Sequence, residues 1–139
     1  DATIGAFRNF EINQMEAAGH PGHAIYPEDE GVPGYDELIF IAKKDNLNDP
    51  RLRAFLDGME MGVRYLINHP AESWAAFIAA YPDLNDALNK RAWRDTVARF
   101  ALRPAALDSA RYERFAAFLH KLGLLKTVPP LADYAVELR

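Results

Sequence analysis

The sequence has no cysteine, only two serines, and no run of about 18 apolar residues. Without cysteine there are no disulfides, no thiolate nucleophile and no Cys-ligated metal. Ser73 and Ser109 both stand at helix starts, where capping accounts for them, and neither lies in a nucleophile-elbow motif. No segment is long and apolar enough to span a bilayer as a helix, and the N-terminus lacks the basic-then-apolar layout of a signal peptide. Positive charge is sparse too: 16 Lys and Arg against 20 Asp and Glu leave a formal net charge of −4. Those cations are scattered along helices, so a nucleic-acid surface is not expected. His20, His23, His69 and His120 lack the i, i+4 spacing that puts two imidazoles on one helix face, so no metal site is expected.

What is present fits one helix-rich domain: 139 residues, 50% hydrophobic and 26% charged. Short apolar runs at 2–5, His23–Tyr26 and Tyr35–Ala42 read as two or three strands, the last buried on both faces. Between them Gly19-His20-Pro21-Gly22 stops a first helix, and the loop from Pro27 to Gly34 carries Glu28, Asp29 and Glu30. Asp49 followed by Pro50 marks a helix start. Leu52, Phe55, Leu56, Met59, Val63 and Leu66 then make one apolar stripe, in which Gly58 and Gly62 leave room for a close neighbour. Further helices start near Pro70, at Asp83 or Asp86, and at Asp108-Ser109, and the last of these stops at Gly123. Leu124 to Pro130 reads as extended, and Leu131 to Leu138 is either a last short helix or a segment lying against the body.

The chain opens on Asp1 and enters a strand reading at once, which reads as a piece of a longer protein. Unpaired strand edges would then take partners from absent sequence or a second copy, so self-association or partial disorder is expected.

The stretch Gly5-Ala6-Phe7-Arg8-Asn9-Phe10-Glu11 has the composition of a small-molecule pocket at a strand-to-helix corner. Gly5 removes a Cβ where backbone or ligand would come close. Phe7 and Phe10 offer ring faces, and Asn9 both donates and accepts. Glu11 can accept two parallel hydrogen bonds from a planar nitrogen heterocycle. Tyr26 and Tyr35 bracket the acidic loop and would close over such a ligand. An ordinary strand-to-helix corner, with both tyrosines packed at a strand edge, has the same inventory. Arg8 keeps an anionic ligand open.

The string from Asp1 to Glu11, followed by Glu30-Gly31-Val32-Pro33-Gly34-Tyr35-Asp36-Glu37-Leu38, resembles the C-terminal part of substrate-binding proteins of ABC importers for thiamine pyrimidine precursors. Their broader family also contains the hydroxymethylpyrimidine phosphate synthases. The resemblance covers nearly all of the chain, with Gly-Ala-x-x-Asn-Phe-Glu and Gly-Val-Pro-x-Tyr-Asp-Glu-Leu as its specific segments. It implies an α/β type II periplasmic-binding fold, of which residues 1–34 would be the end of the second lobe and the start of a crossing. Residues 35–139 would be the return strand and C-terminal helices of the first lobe.

The resemblance also implies that Glu11 and Asn9 contact an aminopyrimidine, with Tyr35 in the crossing beside the cleft. The partners implied are an ABC permease and the absent N-terminal part, the location periplasmic or membrane-anchored extracellular, and no cofactor is needed. A synthase is the alternative, although its Cys-rich motif has no counterpart here. Receptors for sulfonate, nitrate or riboflavin-type ligands are a second alternative.

Overall fold

The computed structural model describes residues 2–138. Asp1, with which the N-terminal motif string begins, and Arg139 lie outside the described residues. Five α-helices are formed: α1 (Glu11–Ala17), α2 (Pro50–Asn68), α3 (Pro70–Ala80), α4 (Ala87–Val97) and α5 (Ser109–Lys121). Short 3-10 turns cover Lys44–Asn46, Pro82–Leu84 and Leu131–Asp133. No described helix is long and apolar enough to cross a membrane.

The helix ends follow local chemistry. At α1 the chain closes on Gly19 at φ +76°, where the His20 N–H donates to the Met15 carbonyl and the Gly19 N–H to that of Glu16. Gly123 at φ +75° closes α5 in the same pattern. Such paired bonds satisfy terminal carbonyls only when one residue turns left-handed, which favours glycine. Asp49 caps α2 by accepting from the Arg51 N–H at 2.9 Å, and Pro50 follows at the first helical position. Of the two candidate caps for α4, Asp86 is the one used, accepting from the Asn89 N–H at 2.7 Å. Asp108 does the same for Arg111 of α5 at 3.0 Å.

The expected strands do not form. Among the described residues no strand occurs at 2–5, at His23–Tyr26 or at Tyr35–Ala42. The reason is physical: β-branched and aromatic residues favour the extended conformation, but a strand exists only where another backbone accepts its hydrogen bonds. None of the described residues supplies that ladder. The helix-rich part of the fold expectation therefore stands, and its strands are corrected. Two smaller corrections concern glycines. A Cβ built on Gly58 or Gly62 meets nothing within 4 Å, so no element among the described residues approaches closely at either. A Cβ on Gly5 likewise meets open space, and glycine is needed there for its φ of +84°.

The chain divides into two compact units. One comprises Asp1–Ala24 with Gly58–Pro104, the other Ile25–Asp57 with Ala105–Arg139. In the first unit Val63 and Ala92 are buried. Around them Trp93 packs against Trp74 and Phe77, with ring centroids 5.4 and 5.2 Å away, and Phe77 in turn meets Tyr81 at 5.2 Å. Both tryptophans are half-buried and pack into this aromatic cluster. In the second unit Ala116 of α5 is buried, Tyr35 stacks on Phe115 at 4.7 Å, and Phe40 sets its edge against Phe55 at 5.1 Å.

Candidate functional site

The N-terminal motif residues lie in the first unit, on the turn that leads into α1. The Phe7 carbonyl accepts from the N–H groups of Phe10 and Glu11, both at 3.1 Å, which reverses the chain just ahead of the helix. Glu11 reaches back, and its Oε2 accepts from the Phe7 N–H at 2.7 Å. One carboxylate oxygen thus ties down a backbone donor of the turn ahead of the helix. Phe10 is half-buried, whereas Phe7 is 52% exposed.

Asn9 is anchored rather than loose. Its Nδ2 donates to Thr96 Oγ1 at 2.7 Å, and that hydroxyl in turn donates to the Ala92 carbonyl at 2.7 Å. One turn on, Asn13 is the buried polar side chain of α1, 3% exposed. Its Nδ2 donates to the Asn9 carbonyl at 2.9 Å and to Asp95 Oδ2 at 2.7 Å. An ion pair between Glu16 and Arg91 adds a further tie from α1 to α4. The result is a corner whose Asn9 and Asn13 side chains are tied to side chains of α4, with Phe7, Asn9, Phe10 and Glu11 close together in sequence ahead of and at the start of α1. Asn13, Asp95 and Thr96 were not anticipated as parts of it. The one available signal was Asn13 falling beside Ile12 on the apolar side of α1.

Tyr26 and Tyr35 belong to the second unit. The Tyr26 carbonyl accepts from the Asp29 N–H at 3.0 Å and opens the turn that carries the three acids. That turn closes on Gly31, at φ +87°, and on the Val32 N–H, which donates to the Pro27 carbonyl at 3.0 Å. Tyr35 lines a cavity of about 370 Å³, walled chiefly by Ile39, Tyr112, Phe115, Leu119 and Tyr134. Beside it the Asp36 carboxylate pairs with the Arg111 guanidinium, which also lies 3.4 Å from Asp108. The bond from Asp36 holds the Arg111 pKa above its ordinary value. Burial, and then the nearby Asp36 charge, push the Tyr112 phenol up as well. A cavity with these walls suits a flat or aliphatic group, since its two charges already satisfy each other. Tyr112, Phe115 and Leu119 fall at helical spacing in the sequence, and nothing in that spacing separates a cavity wall from a core.

Among the described residues no group of three or more His, Asp and Glu side chains is placed to hold a metal ion. The motif residues therefore fall into two sets, Phe7, Asn9, Phe10 and Glu11 in one unit and Tyr26 and Tyr35 in the other.

The family model described as NMT1/THI5 like matches residues 1–73, and the chain belongs to that family. Over 139 residues it is 45% identical to the "Putative thiamine biosynthesis protein" of Haemophilus influenzae, a match covering 99% of this chain and 44% of that protein. Over 87 residues it is 28% identical to the "Formylaminopyrimidine-binding protein" of Halalkalibacterium halodurans, covering 61% of this chain and 26% of that protein. The chain thus spans less than half the length of these curated relatives. No solved structure matches it.

Proposed function

We propose that this chain is part of a receptor for an aminopyrimidine precursor of thiamine, delivering its ligand to an ABC permease from a periplasmic or membrane-anchored extracellular position. The observation that carries the reading is the corner at Phe7 to Glu11, fixed to α4 through Asn9 and Asn13, in a chain similar to a protein named for binding formylaminopyrimidine. A rigid corner bearing a carboxylate, an amide and two rings recognises a flat nitrogen ring at low entropic cost. In this reading Glu11 and Asn9 contact the ring edge and Phe7 and Phe10 its faces, while Tyr35 and Tyr26 act from the crossing of a two-lobed fold. Residues 1–34 would end its second lobe and 35–139 return to its first, within an α/β architecture of the type II periplasmic-binding kind. No cofactor enters.

The test is calorimetric titration of the longest natural protein containing this chain with formylaminopyrimidine and hydroxymethylpyrimidine. Glu11→Ala is expected to weaken binding by about 1.5–3 kcal/mol, the worth of a hydrogen bond to a charged group. Unchanged affinity would remove Glu11 from the site.

One observation favours a second reading, in which the protein makes the pyrimidine instead of binding it: the Haemophilus influenzae relative carries a biosynthetic name. A pyrimidine phosphate formed on incubation with pyridoxal phosphate would establish that alternative, and its absence alongside tight pyrimidine binding would exclude it.

A further inference from the structure

Thr96 Oγ1 stands 2.7 Å from the Ala92 carbonyl oxygen, four residues back in α4, and 2.7 Å from Asn9 Nδ2. Two oxygens so close need a proton between them, and a carbonyl has none to give, so the single Thr96 hydroxyl proton goes to Ala92. Towards Asn9 that oxygen is left only as an acceptor. The Asn9 amide must therefore give its NH2 to Thr96 and turn its Oδ1 away from Thr96, an orientation that follows from counting protons. The main chain is held as well. Asn13 Nδ2 donates to the Asn9 carbonyl at 2.9 Å and to Asp95, the residue before Thr96, at 2.7 Å. All of these residues belong to the first unit.

Glu11 has the same polarity. An ionised carboxylate has no proton to donate, and Oε2 already accepts from the Phe7 N–H at 2.7 Å, which leaves Oε1 for another donor. Asn9 and Glu11 are both half-buried, one ahead of α1 and one at its start. Two neighbouring polar side chains that offer acceptors select a ligand edge that brings protons. An exocyclic amino group on a pyrimidine brings two on one nitrogen. An oxo group at the same ring position brings none and sets its own lone pairs against theirs.

We infer that Thr96 is a positioning residue of the proposed site: by fixing the Asn9 amide through its NH2, it makes the corner select a ring carrying an amino group over the same ring carrying an oxo group. This deepens the proposed function and rests on the receptor reading. Thr96 acts through Asn9 and touches no ligand itself.

The test is calorimetric titration of the longest natural protein containing this chain with hydroxymethylpyrimidine and with its deaminated form, in which a ring oxo group replaces the amino group. Wild type is expected to bind the amino compound at least about ten-fold more tightly, since the oxo compound leaves an acceptor unmet. Thr96→Val keeps the branched shape but removes the hydroxyl, so the Asn9 amide is released to turn its NH2 to the ligand. The ratio of the two affinities should then fall at least about five-fold, chiefly through tighter binding of the oxo compound. Thr96→Ser keeps the hydroxyl and should hold the ratio within about two-fold of wild type. A residue that merely stabilised the fold would weaken both compounds together and leave the ratio alone.

Wild type binding both compounds equally overturns the inference, and that is the result to be seen if the Arg8 guanidinium serves the oxo group instead. An unchanged ratio in Thr96→Val overturns it too, as does a ratio relaxed equally in Thr96→Ser. If Thr96→Val fails to fold, Thr96→Ala, which also removes the hydroxyl, takes its place. Wild type binding neither compound sinks the receptor reading and this inference with it, whereas binding without discrimination sinks this inference alone.

Discussion

The Asn13 amide of α1 meets the Asp95 carboxylate of α4 at 2.7 Å, at a position only 3% exposed, and its second proton goes to the Asn9 carbonyl. Both partners depend on one nitrogen. Asn13→Ala leaves a carboxylate and a carbonyl without their donor, so a loss of about 1–3 kcal/mol is expected from urea unfolding. Asn9→Ala removes only the bond to Thr96, and about 1 kcal/mol is expected. Equal losses in the two variants would mean that Asn13 is not the central tie.

Asp86 governs the start of α4. Its carboxylate accepts from the backbone and side-chain nitrogens of Asn89, and these bonds hold its pKa below the ordinary value. A carboxyl depressed in the folded state stabilises it above the unfolded pKa, about 3.9, and that contribution fades as pH falls through the lower folded value. Helicity followed in acid should therefore lose a component in wild type that is missing in Asp86→Asn, where the cap survives without the charge. Identical acid profiles for the two proteins would contradict this.

Phe77 touches Trp74, Trp93 and Tyr81 at once. Since it is only half-buried, Phe77→Ala should cost about 1.5–3 kcal/mol, below the range for a fully enclosed ring. Tryptophan fluorescence and near-ultraviolet dichroism should change in step with the loss.

Tyr112 reports on the second unit. Burial is the larger cause of its raised pKa and the Asp36 charge the lesser, so Asp36→Asn should lower its titration midpoint yet leave it above an ordinary tyrosine. The raised value means that its stabilising contribution is complete below the unfolded pKa of about 10 and is lost as pH rises through the folded one. Phenolate absorbance measures the midpoint. The broken pair with Arg111 is partly exposed and should cost no more than about 1 kcal/mol.

What could be read from the chain alone was what local rules control. Asp49-Pro50, Asp108-Ser109, Gly19 and Gly123 announced helix ends because a cap or a left-handed turn is settled within a few residues. The segment Tyr35–Ala42 misled for the opposite reason, since its strand character depends on a backbone partner far from it in sequence or outside it. The corner's residues were named, but its fastening was not. Thr96 lies 87 residues from Asn9, and no periodicity announces such a bond. Gly5 was singled out for close approach, and no protein atom among the described residues crowds it; its turn angle is what calls for glycine there.

Each compact unit draws on two separate lengths of chain, and the second length of the first unit begins at Gly58, in the middle of α2. The polypeptide therefore passes from one unit to the other three times. A nick after Asp57 separates the two lengths of both units, whereas one after Ala24 divides only the first and one after Pro104 only the second. Neither unit can be finished during synthesis before residues 58–104 have emerged, so assembly of the two is interleaved in time.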